Sequence, residues 1–163
     1  MSSLISFIDN AQNTSGGDSD EFYELVIKKI NEETAWRKGQ KSVLLIADHT
    51  PHPLGYSGKY IKNNQIDWKV EANNAKKLGI KWDTLKIIPS LTWYNELSKI
   101  TGGLCLDFKN SGKISEIASG LATARGSSYS ATSSMAYTSM SKSVMDSGDS
   151  ELIGAFKQIN TLL

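Results

Sequence analysis

The chain has 163 residues, with Lys+Arg 18 against Asp+Glu 17 for a formal +1, and it is 39% hydrophobic and 21% charged. That is room for one ordinary domain, and the charge balance argues against a dedicated nucleic-acid or anionic-membrane binder, which needs a concentrated basic field. The one cysteine, Cys105, excludes an intrachain disulfide and a multi-cysteine zinc site, and it fits a reducing, cytoplasmic compartment.

No stretch approaches the ~20 apolar residues needed to cross a bilayer. Met1-Ser2-Ser3-Leu4-Ile5-Ser6 lacks the basic start and long apolar core of a signal peptide. Leu4, Ile5, Phe7, Ile8 and Ala11 make one apolar face of a predicted helix over 3–12. Asn13-Thr14-Ser15-Gly16-Gly17 breaks it. Asp18 or Ser19 is placed to cap a second helix, with Glu21 forming a capping box behind Asp18. Phe22, Leu25, Val26, Ile30 and Trp36 mark its buried side, and Lys38-Gly39 ends it.

Ser42-Val43-Leu44-Leu45-Ile46-Ala47 is continuously apolar and β-branched, the pattern of a strand buried on both faces in a parallel sheet. A loop punctuated by Pro51, Pro53, Gly55 and Gly58 follows Asp48. A helix is predicted over 67–78, then a strand from Ile80 to Ile88, a helix from Leu91 to Ile100, and a strand over Leu104-Cys105-Leu106-Asp107-Phe108. Ile114, Ile117, Ala118 and Leu121 mark another helix. Strands alternating with helices predict an α/β fold with a parallel sheet in sequential order.

Residues 126–150 are crowded with serine, which predicts a flexible linker with too little apolar surface to offset its ordering entropy. Leu152, Ile153, Phe156, Ile159 and Leu163 make 151–163 a short amphipathic C-terminal helix. The domain so predicted covers 1–125.

In an open parallel sheet, ligands bind at the carboxyl ends of the strands. Asp48 sits at that end of the most apolar strand, where it serves either as a turn residue or as an oxygen donor to a hard cation. Gly16-Gly17-Asp18 precedes a helix start, as a bare cap or as a loop letting a ligand approach the backbone. His49 and His52 complete D-H-x-x-H with Asp48, but these two histidines lie on a loop and have no third nitrogen or sulfur partner for zinc. There is no G-x-S-x-G elbow, and mid-strand Cys105 reads as a buried, inert thiol. Trp36, Trp68, Trp82 and Trp93 fall at packing positions.

Three stretches carry a family resemblance. Ser15-Gly16-Gly17-Asp18-Ser19-Asp20-Glu21 is similar to a G-G-D-x-P-E loop. Leu45-Ile46-Ala47-Asp48-His49-Thr50-Pro51-His52 is similar to a strand followed by G-D-x-P-P-H. Trp93-Tyr94-Asn95-Glu96-Leu97 through Thr101-Gly102-Gly103-Leu104 is like a late helix and T-G-G turn. On these, residues 2–124 resemble the carboxyl-terminal part of a von Willebrand factor type A domain. Asp20 stands where the loop proline would be, Ala47 replaces a glycine, and His49-Thr50 replace a small residue and a proline.

The resemblance implies a Rossmann-like parallel sheet with flanking helices. It also implies a metal-ion-dependent adhesion site holding Mg²⁺, with Asp18 and Asp48 at two of its ligand positions and an acidic partner group at the open one. No D-x-S-x-S precedes the first helix, so the site is expected to be partial and the family's first strands to lie outside this chain. The strand at 42–47 would then offer an open apolar edge to another chain. Asp146-Ser147-Gly148-Asp149-Ser150 approximates D-x-S-x-S, but the serine-rich linker accounts for it. The expected function is a protein-interaction module. The alternative is a small α/β metal-assisted hydrolase using Asp48 with His49 or His52.

Overall fold

The computed structural model describes residues 6, 10, 19–59, 61–107 and 111–163. The helix expected over 3–12 (apart from Ser6 and Asn10) and the proposed cap Asp18 lie outside the described residues.

Among the described residues, six α-helices and three strands follow in the order α1 Tyr23–Glu33, β1 Lys41–Ala47, α2 Trp68–Lys77, β2 Ile80–Lys86, α3 Trp93–Thr101, β3 Cys105–Asp107, α4 Ile114–Gly126, α5 Ala131–Asp146 and α6 Ser150–Ile159. The strands form one parallel sheet in the order β1-β2-β3. Lys41 to Ala47 pair with Ile80 to Lys86, and Thr84 to Lys86 pair with Cys105 to Asp107. This is a mixed α/β fold of Rossmann-like arrangement. No described helix is long and apolar enough to cross a membrane.

The central strand divides the core by its two-residue period. Ile80 and Trp82 face a cluster built with Ile27, Ala72, Ala75, Tyr94 and Leu97 from the helices on one side. Leu85 faces a second cluster, where Leu106, Ile117, Leu121, Tyr137, Phe156 and Ile159 pack together. Burying each such large side chain contributes about 1.5–3 kcal/mol. Trp82 and Trp93 are buried, at 1% and 6% exposure, while Trp36 and Trp68 are half-buried.

Asp83, in the middle of β2, is 1% exposed and meets Arg125 of α4, itself 6% exposed. Arg125 Nε donates to Asp83 Oδ2 at 3.1 Å and Nη2 donates to Oδ1 at 2.5 Å. Ser42 Oγ and the Leu104 N–H complete the carboxylate's shell at 2.9 and 2.7 Å. Such a fork-to-fork pair is the geometry in which a buried charge is tolerated.

Three expectations are corrected. β1 is not buried on both faces: Val43, Leu44 and Leu45 are only half-buried and Ile46 is 38% exposed, and among the described residues β2 alone pairs with it. The first described helix starts at Tyr23, not at 18–19, because Glu21 forms a strand-like bridge to Pro51. It ends at Glu33, so Trp36 lies beyond it in the connection to β1.

The third correction concerns 126–150, expected to be a flexible linker. Most of it is helix α5. Ser130 caps it by accepting from the Ser133 N–H, and Tyr137 and Val144, seven apart, bury one narrow stripe against the second cluster. The Tyr137 hydroxyl donates to Asn160 Oδ1 at 2.8 Å. Few apolar residues suffice because they sit at helical spacing. Asp146-Ser147-Gly148-Asp149-Ser150 is the α5–α6 turn: Gly148 takes φ +72, and Asp149 caps α6 through the Glu151 and Leu152 N–H groups.

Candidate binding rim at the carboxyl edge of the sheet

The three strands end level. Ala47 pairs with Lys86 and Lys86 with Asp107, so Asp48, Lys86 and Asp107 lie in sequence across the carboxyl rim. Asp48 is exposed. Lys86 is 8% exposed, and its ammonium donates to the Pro89 carbonyl at 3.1 Å and Asn95 Oδ1 at 3.0 Å while pairing with Asp107 at 3.1 Å. The middle of the rim therefore already holds a positive charge, and Asp107 is neutralised by it. Asp48 is the rim carboxylate left for another cation.

The loop after β1 is held from two directions. Trp93 Nε1 and the Tyr94 hydroxyl each donate to the His49 carbonyl at 2.8 Å. Burial raises the Tyr94 pKa well above the ordinary phenol range, with Tyr23 and Asp48 adding to it, so the hydroxyl stays a donor. Tyr23 stacks on Trp93 at 5.3 Å and its pKa is pushed up to about 12, first by burial, then by the carboxylates of Asp48 and Glu21.

From the other side, the segment before α1 docks onto the same loop. The Glu21 N–H donates to the Thr50 carbonyl at 2.9 Å, Glu21 and Pro51 form a parallel bridge, and Thr50 Oγ1 donates to Asp20 Oδ1 at 2.5 Å. Asp20-Glu21 and Thr50-Pro51, separated in sequence by α1 and β1, are thus joined.

His52 is placed differently from Asp48. It is 2% exposed, its ring lies between Phe22 at 4.4 Å and Tyr56 at 4.3 Å, and its Nδ1 is 3.6 Å from Glu24 Oε1. Glu24, 0% exposed, also accepts the His52 N–H at 3.1 Å and Asn64 Nδ2 at 3.4 Å. His52 and Glu24 thus form an internal brace for the loop, while Asp48 faces solvent. Cys105 is half-buried at the start of β3, and burial raises its thiol pKa.

Burial also raises the Glu24 pKa above its ordinary 4.5. The folded state then holds that proton more tightly than the unfolded chain. Its contribution to stability is full below pH 4.5 and is lost as pH rises through the raised folded value. Glu24→Gln mimics the protonated side chain. The melting temperature of the variant minus that of the wild type is therefore expected to increase from acid to mildly alkaline pH. A difference independent of pH would show that Glu24 does not titrate in this way.

Of the two predicted metal ligands, Asp48 stands on the rim and Asp18 lies outside the described residues. Among the described residues, no group of three or more His, Cys, Asp or Glu side chains is arranged to hold a metal ion. The donors fit a hard cation in part: Asp48 is exposed and anionic, whereas the Thr50 hydroxyl and Asp20 are engaged with each other. Lys86, Asp107 and the Asp83–Arg125 pair were missed by sequence reasoning. Lys86 and Asp107 come together only through the register between β2 and β3, which has no local signal in the sequence. Compared with protein-family models, curated proteins and solved structures, the chain matches none.

Proposed function

We propose that the chain is a protein-interaction module of the von Willebrand factor type A kind, docking partners at the carboxyl rim. In this reading Asp18 and Asp48 contribute to a partial site for Mg²⁺, and the partner offers an acidic side chain to the ion. The observation that carries the reading is the join between Glu21 and Thr50–Pro51. It ties Glu21, three residues after Asp18 in sequence, to Thr50, two residues after Asp48. The Lys86–Asp107 pair leaves Asp48 as the rim's free anionic position, which suits one cation at that end.

Two carboxylates give fewer oxygen donors than a near-octahedral ion wants, so the ion keeps several waters and binds weakly until a partner carboxylate arrives. Calorimetric titration with Mg²⁺ and Mn²⁺ tests this. Asp48→Ala and Asp18→Ala are each expected to weaken binding about tenfold or more. Circular dichroism should stay unchanged for Asp48→Ala, since the side chain is exposed. A wild-type chain that takes up neither ion, or an Asp48→Ala chain that binds as well as wild type, would sink the reading.

A further inference from the structure

Among the described residues the sheet ends at β1, and the register shows which of its backbone groups are left over. The Ile87 N–H donates to the Ala47 carbonyl at 3.4 Å, one residue past the Ala47↔Lys86 pair. In a parallel ladder this directs both polar backbone groups of Ala47, Leu45, Val43 and Lys41 toward β2. By alternation, the N–H and C=O of Ser42, Leu44 and Ile46 point away from the sheet. Among the described residues, no backbone hydrogen bond reaches them from outside the strand.

The side chains along this edge are also incompletely covered. Val43, Leu44 and Leu45 are half-buried and Ile46 is 38% exposed, although the sequence here is the most apolar strand of the chain. Beside the edge runs a groove of about 510 Å³ between β1 and α4, with Leu44 and Leu121 among its apolar lining and Tyr129 at one side. Trp36 borders this groove while packing against the cluster on the other face of the sheet. Lys38 is exposed at the same end. Arg125 also lines the groove but is neutralised by Asp83, so Lys38 supplies the net charge there.

We propose that this edge accepts an extended segment of another polypeptide as a fourth strand, apolar at alternate positions and carrying an acidic residue that meets the Lys38 ammonium. Three outward-facing residues at two-residue spacing match the backbone of an added strand. The groove takes that strand's alternate side chains. The exposed Lys38 ammonium calls for an acceptor of negative charge. The inference needs no metal and is independent of the rim.

The test uses two fluorescein-labelled heptapeptides of alternating valine and threonine, one with glutamate at both ends and one with lysine at both ends. Fluorescence polarisation with the full chain is expected to show the glutamate peptide binding about tenfold tighter. Lys38→Gln keeps most of the side-chain length and removes the charge, and is expected to reduce that preference severalfold. Ile46→Pro removes an outward N–H without taking a ladder bond, and is expected to weaken both peptides about tenfold.

Equal binding by wild type and Ile46→Pro would overturn the proposal. So would a missing glutamate preference, or no binding of either peptide. If Ile46→Pro fails to fold, Lys38→Gln decides alone, and an undiminished glutamate preference overturns the proposal. A dimer in sedimentation that Ile46→Pro abolishes would assign the edge to a second copy and overturn the peptide reading. The same titration in EDTA is expected to be unchanged, which separates this proposal from the fate of the cation site.

Discussion

Replacing Arg125 by methionine is expected to destabilise the fold by about 3–5 kcal/mol, the cost of leaving a buried charge without its partner. The carboxylate of Asp83 is 1% exposed and would keep only Ser42 Oγ and the Leu104 N–H. Neither carries charge. The double variant Asp83→Leu with Arg125→Met is expected to recover much of the loss, because an apolar pair of similar volume avoids desolvating two ions. Recovery should be incomplete, since the Leu104 N–H loses its acceptor and an unmet buried donor costs about 1–3 kcal/mol. Urea unfolding of the two single variants and the double variant gives the coupling directly. Purely additive losses would mean that the pair is not coupled as the geometry implies.

Gly103→Ala is expected to be comparably severe, at about 3 kcal/mol or more, near the upper end of overpacking costs. A Cβ at this position would run into the backbone carbonyl of Trp82 and crowd the Asp83 nitrogen. Those atoms belong to the central strand and cannot swing aside as a flexible side chain would. The neighbouring Gly102 makes a useful contrast. It takes φ +73 at the end of α3, but nothing lies within 4 Å of its added Cβ. Gly102→Ala is therefore expected to cost only about 1 kcal/mol, from backbone strain. Thermal melts of the two variants should rank Gly103→Ala far below Gly102→Ala. The reverse order would contradict the close approach of the T-G-G turn to β2.

The contrast also shows what the sequence discloses. The glycine pair reads as a helix stop, which Gly102 is, but the tight approach of Gly103 to another strand has no local signature. The strands were legible because their apolar runs are short and bounded: Ser42–Ala47 was expected and Lys41–Ala47 is found. Asp48 was legible because it terminates such a run. Its neighbours on the rim were not, since Lys86 and Asp107 become adjacent only through pairing between strands. Asp83 looks in sequence like any polar residue on an alternating strand, and its partner stands on a helix remote in the chain. His52 reads together with Asp48 by proximity in sequence, yet just past the Glu21–Pro51 bridge its side chain turns inward to Glu24. Composition misled at α5, where many serines outweighed the spacing of Tyr137 and Val144.

The division of the core has a consequence for how the chain is made. The cluster on one face of the sheet is built from residues between Ile27 and Leu97, so it can close once β2 and α3 have emerged. The opposite face waits: Leu85 is covered by Ile117, Leu121, Tyr137, Phe156 and Ile159, all later in the chain. At ordinary rates of synthesis the stretch from Ile114 to Leu163 takes roughly 3–10 s. For that interval the nascent chain presents a half-dressed sheet with Leu44, Leu85 and the uncompensated carboxylate of Asp83 in the open. A ribosome pausing within α5 would prolong the exposure, and binding by chaperones that hold apolar strands is expected to be strongest there.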